Sequence, residues 1–312
     1  MHALEFRNRL INAKIVGENV EPEAYHRPSG RRGEVDFVMS RSELMEFDYC
    51  PWRWIRGFKD TGNASTEWGS IMDNMVMSPE KCDEIYVVCP ETYPDTKTGE
   101  PKPWNWNAKY CKQWRDERAG KEPIKANDFK DAKVAFEALI QDELIADIIL
   151  NSRKQVMVVA EYRDEATAIT IPIKTLLDLV PSLEGLYPKS LADFKTACSI
   201  GHAAWDRAVF DHRYYVQSAL YLDAYVAATK EDRVDFRHIV QENYQPWDTG
   251  RRLVSEEFIN LGRGLYQKAL KRYCQCLKTD IWPGHDDKDD NGRISIEGWT
   301  LVQPKDWMVL AQ

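Results

Sequence analysis

The chain reads as an α/β protein in which a central mixed β-sheet is flanked by helices, and three observations predict this. Strand-like runs follow one another with short breaks at 155–162, 166–173, 175–181 and 191–196. A long helical segment at 203–229 then leads to a fifth strand-like run at 234–241. Further amphipathic helices precede and follow, at 128–150 and 255–277. Strands grouped together, with one crossover helix before the last, give a sheet covered by helices.

The remaining elements follow in order. Residues 1–34 are polar and broken by Pro22, Pro28, Gly30 and Gly33, and are expected to form a flexible N-terminal arm whose basic run lies at 26–33. Residues 35–312 are expected to form a single domain. Ser40 and Glu43 make a capping box for a short helix that must end near Pro51. A second helix is predicted over 68–76, containing Gly69 and Asp73, with Pro79 as its stop. Residues 93–123 mix Trp104, Trp106 and Trp114 with basic residues and read as a loop-rich insert. Its aromatics either stack on single-stranded bases or pack the loop onto the core.

Composition narrows the class without naming the partner. A chain of 312 residues can bury a sizeable core. No stretch has the apolar length needed to cross a bilayer, and the N-terminus lacks a basic region followed by an apolar one, so a cytoplasmic protein without a membrane partner is expected. Seven cysteines at irregular spacing argue against a disulfide framework. The net charge of −8 does not advertise nucleic-acid binding, although a local basic channel can bind DNA on an acidic protein.

One constellation carries chemistry. Asp178 is the sole acid in the apolar run 175–181, and Asp193-Phe194-Lys195 lies in the next strand-like run, across a turn-rich stretch at 182–190. Other Asp-x-Lys triplets, such as Asp95–Lys97 and Asp286–Lys288, stand in polar surroundings. Two carboxylates and an ammonium on neighbouring strands are costly in an apolar setting unless they pair or hold a metal. Mg²⁺-assisted phosphodiester hydrolysis uses such a set, with carboxylates for the hard cation and a lysine for the developing charge.

In the order and spacing of these elements the chain resembles the PD-(D/E)xK nuclease superfamily, and within it the exonuclease VIII-like, RecB-type group. The residues that carry the likeness are Ser40, Ser42, Leu44 and Cys50-Pro51, then Gly69 and Asp73, Glu161, Asp178, Asp193-Phe-Lys195, Gln217 and Tyr221, and a closing Trp282-Pro-Gly284. The likeness runs from about residue 40 to 299. It implies a restriction-endonuclease-like core and a Mg²⁺- or Mn²⁺-dependent DNA exonuclease of phage-type recombination or end resection. It also implies linear duplex DNA as substrate, a single-strand annealing protein as partner and a homo-oligomer. Asp178, Asp193 and the Phe194 carbonyl would bind the metal, Lys195 would position water and stabilise phosphate, and Glu161 would serve a second metal or orient the first. Gln217 and Tyr221, four apart on one helical face, would point at the catalytic hairpin. Asp73 stands where relatives have histidine, and either tunes metal preference or marks a nuclease fold that only binds DNA or inhibits. A CRISPR-adaptation-type nuclease is the other enzymatic alternative, with Cys50 matching one of its cluster cysteines.

Overall fold

The computed structural model describes residues 10–27, 29–58, 65–285, 295–296 and 299–300. In chain order its elements are β1 (Leu10–Gly17), α1 (Pro22–His26), β2 (Met39–Ser40), α2 (Arg41–Tyr49), α3 (Pro51–Ile55), α4 (Ser65–Met77) and α5 (Cys82–Ile85). There follow β3 (Tyr86–Cys89), β4 (Thr92–Pro94), β5 (Pro101–Pro103), α6 (Lys109–Asp116), β6 (Glu122–Lys125), α7 (Ala126–Gln141) and α8 (Glu143–Leu150). The second half holds β7 (Ser152–Arg163), β8 (Thr170–Pro181), β9 (Ser190–Ala197), α9 (His202–Asp211) and α10 (Tyr214–Thr229). It closes with β10 (Asp235–Glu242), β11 (Thr249–Leu253), α11 (Glu256–Thr279), β12 (Ser295–Ile296) and β13 (Trp299–Thr300).

Among the described residues the main sheet runs β1-β7-β8-β9-β10-β11, with β2 added alongside β8. β7, β8 and β9 are antiparallel neighbours, whereas β10 lies parallel to β9 and is reached through α9 and α10, as a parallel pair requires. The expected mixed sheet between helices is therefore the observed fold. One apolar layer packs Leu44, Phe47, Trp54, Trp205 and most of α10 and α11 against it. The other packs Met72, Val76, Phe129, Leu139, Ile145 and Ile149 from α4, α7 and α8 against Leu179, Ala192, Phe194 and Ile239. No helix among the described residues is long and apolar enough to cross a membrane.

The structure departs from the sequence reading at several points. Part of the supposed arm over 1–34 is an edge strand: Leu10 pairs with Tyr162 and Ile11 with Glu161, while Tyr25 in α1 is buried. Polar residues there face solvent along an edge, so alternation is weak and the segment looks like a tail. Residues 1–9 and Pro28 lie outside the described set, as do Asp286 and Lys288.

The single helix expected over 128–150 is two, because the Asp142 carboxylate caps a new start by accepting from the Leu144 and Ile145 N–H groups at 3.0 and 3.2 Å. The helix over 203–229 is likewise divided, by Arg213 in the left-handed region at φ 52°. Within the insert, β4 and β5 form a hairpin, and Trp104 packs edge-on against Trp106 and Trp114 at 5.8 and 5.1 Å. These tryptophans pack one another.

α10 is buried along almost its whole length and meets α11 at very close range. A Cβ on Gly262 would stand 2.2 Å from the Tyr215 carbonyl oxygen and 3.0 Å from the Ala219 Cβ. Gly262→Ala must therefore push the two helices apart. We expect a loss of about 1–3 kcal/mol, read as a fall in the urea midpoint with an unchanged slope. The same interface holds a buried charge network, in which Arg263 Nε donates to both Asp223 carboxylate oxygens at 2.9 Å and Tyr266 donates to one of them at 2.7 Å.

Candidate active site

The site lies where one edge of β8 changes partner. β7 covers the other edge throughout, from Ser152 opposite Pro181 to Arg163 opposite Thr170. On the site edge, β9 pairs at Leu179 opposite Ala192, whereas β2 pairs at Ile173 and Lys174 opposite Met39 and Ser40. Asp178 precedes the β9 pairing by one residue, and Asp193 follows it on β9. Ser40 caps α2 by accepting from the Glu43 N–H at 3.3 Å, which sets Arg41 at the mouth of the same gap.

The polar groups there are tightly joined. The Phe194 N–H donates to Asp178 Oδ2 at 3.4 Å, and Gln217 Nε2 donates to Asp193 Oδ1 at 2.7 Å. Lys195 Nζ is ion-paired with Asp193 Oδ2, donates to the Phe194 carbonyl at 3.3 Å and stands 5.5 Å from the Tyr214 ring centre. Asp193 is 1% exposed and the Lys195 side chain 22%, so the cluster reaches solvent through the lysine.

Burial and mutual charge divide the titrations. Asp178 and Asp193 share a hydrogen bond; burial first, and then the Asp193 charge, push Asp178 well above the carboxylate range against the pull of Lys195. Burial also opposes ionisation of Asp193, but Lys195, then His238 and the hydrogen bond from Asp178, outweigh it and lower this carboxyl. The proton thus resides on Asp178 and the charge on Asp193. Desolvation works against the Lys195 ammonium, yet Asp193 and Asp178 raise it above the ordinary lysine value. Lys195 is accordingly a fixed cation and not a base.

α4 supplies a third acid. A Cβ on Gly69 would lie 3.4 Å from Thr196 Oγ1, so α4 rests on the end of β9, and Asp73 follows one turn later. Asp73 is exposed on one side, while protein lies close around the rest of it. Desolvation lifts its carboxyl to about 6, with Lys195 opposing and Asp193 adding.

Glu161 does not join them. It faces Pro172 on β8, six residues from Asp178, or about 20 Å along the strand. Its carboxylate accepts from Asn12 Nδ2 at 2.7 Å and so fastens the edge strand β1. Glu161→Gln is expected to change stability by no more than about 0.5 kcal/mol, since glutamine still accepts from Asn12. A urea denaturation curve checks this.

Three residues at the site had no role in the sequence reading. Arg41 donates to the carbonyls of His212 and Arg213, the latter at 2.9 Å, and lies within electrostatic reach of Tyr221, Tyr214 and Asp193. Tyr25 donates to the Lys174 carbonyl at 3.3 Å and lies beside Tyr221, bringing the N-terminal segment to the crevice. His238 is the register partner of Asp193 on β10, is 1% exposed, and sits among Trp205, Tyr214 and Phe236. Burial lowers it to about 4, with Asp193 opposing and Lys195 adding, so it is neutral at pH 7. His202 opens α9 and His212 lies in the turn that follows it, and both are exposed.

No three His, Cys, Asp or Glu side chains among the described residues gather into a closed metal cluster. The donors present nevertheless suit a hard, strongly hydrated cation. Mg²⁺ keeps several waters and needs only one or two carboxylates, and here Asp178 and Asp193 crowd enough to share a proton beside the Phe194 carbonyl. A cation in place of that proton would relieve their repulsion.

A family profile described as a PDDEXK-like domain of unknown function (DUF3799) matches residues 40–291, and the chain belongs to that family. Among solved structures it is similar to a protein of Eubacterium rectale, described as a "Putative exonuclease", at 18% identity and a TM-score of 0.53, over 94% of this chain and 98% of that one. At that identity the likeness establishes the fold. No curated protein matches the sequence.

Proposed function

We propose that the protein is a divalent-metal-dependent deoxyribonuclease that hydrolyses phosphodiester bonds from the ends of linear duplex DNA, in recombination or end resection. The observation that carries the reading is the convergence of Asp178, Asp193, Lys195 and Gln217 in one crevice of a PDDEXK-like fold. Asp178, Asp193 and the Phe194 carbonyl would hold Mg²⁺ or Mn²⁺, with Asp73 reaching the ion through its water. The bound cation supplies a Lewis acid and a more acidic water. Lys195 neutralises charge gathering on the phosphate, and the neighbouring Arg41 attracts the same group. Gln217 fixes the Asp193 carboxylate, while Tyr221, beside Tyr25, walls the crevice. On the same reading the exposed single strand passes to an annealing protein and the chain works as a homo-oligomer.

The test is a digestion series with end-labelled linear duplex, covalently closed circle and single strand, each in Mg²⁺, Mn²⁺ and EDTA. Metal-dependent loss of label from the linear duplex, with closed circles intact, is the expected result. Binding of duplex without cleavage in either metal would replace the enzyme by a DNA-binding protein on the same fold.

A further inference from the structure

A second feature borders the crevice and has no part in the chemistry above. A groove of about 290 Å³ is lined by Met45, Tyr49, Arg53, Phe58, His212 and Arg213, among others. Two of its aromatic rings are open, Tyr49 at 60% exposed and Phe58 at 54%, whereas Trp54 is buried; beside the groove Trp52, stacked nearly parallel to Phe58 at 6.4 Å, is 43% exposed. Guanidinium groups accompany them, Arg53 at 5.6 Å from the Tyr49 ring and Arg56 at 4.1 Å from Trp52. Of the nearby acids, Asp48 pairs with Arg213 at 2.6 Å and Glu46 with Arg32 at 3.6 Å, while Asp211 is exposed on the groove wall.

One helix and one arginine link the groove to the crevice. Arg41, Met45 and Tyr49 succeed one another at four-residue spacing along α2, which places Tyr49 about 12 Å from Arg41. Arg41 also binds the carbonyls of His212 and Arg213, two residues that wall the groove.

We infer that this groove is a binding subsite for unpaired nucleotides, about one or two from the cleavage point, whose bases stack on Tyr49 and Phe58 while Arg53 and Arg56 track the phosphates. Exposed rings interleaved with arginines are the chemistry of single-strand binding, because every base offers a π-face and every phosphate a charge. Paired bases keep their faces inside the duplex stack, so the groove selects frayed or single-stranded ends. Its position relative to the cut rests on the nuclease reading; its affinity for a single strand does not.

The experiment is fluorescence anisotropy with the full-length protein in EDTA, using a labelled oligothymidylate and, separately, a duplex closed by hairpins at both ends. Tyr49→Ala combined with Phe58→Ala is expected to weaken oligothymidylate binding about 10–100-fold and leave the closed duplex within about twofold. Tyr49→Phe, which keeps the ring, is expected to bind the oligothymidylate as wild type does. Equal oligothymidylate affinity in the double variant and wild type, equal weakening for both DNAs, or no binding by wild type would each overturn the subsite. Groove-dependent binding by a protein that cleaves nothing would uphold the subsite and remove the nuclease reading. Cleavage with groove-independent binding would do the reverse.

Discussion

Lys195→Ala is expected to lower the cleavage rate by at least about 10²–10³-fold, the loss typical of removing one donor aimed at developing charge in a water-poor site. Duplex affinity should change only a few-fold, since the lysine is a single cation within a larger surface. The same substitution leaves Asp193 buried at 1% exposure without its partner. Removing one member of a fully buried pair costs about 3–5 kcal/mol; the partly open lysine reduces that here to about 1–3 kcal/mol. Mg²⁺ should restore part of this stability, because a cation at Asp193 replaces the lost one. Lys195→Arg is not expected to rescue turnover, as a planar fork cannot occupy the position of a compact ammonium already bound to both Asp193 and the Phe194 carbonyl. Single-turnover cleavage and thermal melting, each with and without Mg²⁺, check these outcomes. A variant that cuts as fast as wild type would remove Lys195 from the reaction.

The hairpin that bears the candidate site was legible because it breaks a local rule. An acid at 178 in an apolar run, and an acid and lysine at 193 and 195 in the next, conflict with burial unless they meet, and in the structure they do. Gln217 was legible through its spacing from Tyr221 on a helix that turned out to be buried on nearly every face. Glu161 shows what pattern alone leaves out. Its strand adjoins β8, but sequence alternation reports neighbours and not the height along them, and Glu161 sits six residues too far. Arg41 was hidden because an arginine after a capping serine looks like ordinary surface. One signal was present: a cation in the first turn of a helix opposes the helix dipole and calls for another reason to be there. Tyr25 lay in a segment whose polarity suits an edge strand as well as a tail. β11 was missed because Thr-Gly-Arg-Arg-Leu lacks the β-branched and aromatic residues that mark strands; its place comes from pairing with β10, Gly250 opposite Val240 and Arg252 opposite His238.

Asp178→Asn is expected to abolish cleavage and yet raise the stability of the metal-free protein. Asp178 holds its proton to higher pH in the folded chain than in the unfolded one, for which the carboxyl value is about 3.9. Above that value the unfolded chain binds fewer protons than the folded one, so stability declines as pH climbs through the raised folded pKa. Asp73, lifted to about 6, adds to the decline between the unfolded value and about 6, by an amount that its exposure keeps small. Asp193 acts in the opposite sense: its lowered pKa contributes stability above the unfolded value, and this is lost as the solution is acidified. Asparagine at 178 keeps a donor for Asp193 and carries no charge to be forced beside it. Above pH 7 the variant should therefore gain about 0.5–2 kcal/mol in EDTA, or roughly 2 °C in Tm for each kcal/mol in a chain of this size. Wild type should recover the difference when Mg²⁺ is added, because an ion that binds only the folded state stabilises by mass action, and its affinity should tighten with pH as it displaces the Asp178 proton. The variant should gain little from Mg²⁺ at any pH. Melting curves at pH 6, 7 and 8 with and without Mg²⁺ measure all of this. A variant that melts below wild type in EDTA, or responds to Mg²⁺ as strongly, would mean that the two carboxylates do not compete for one proton where the cation binds.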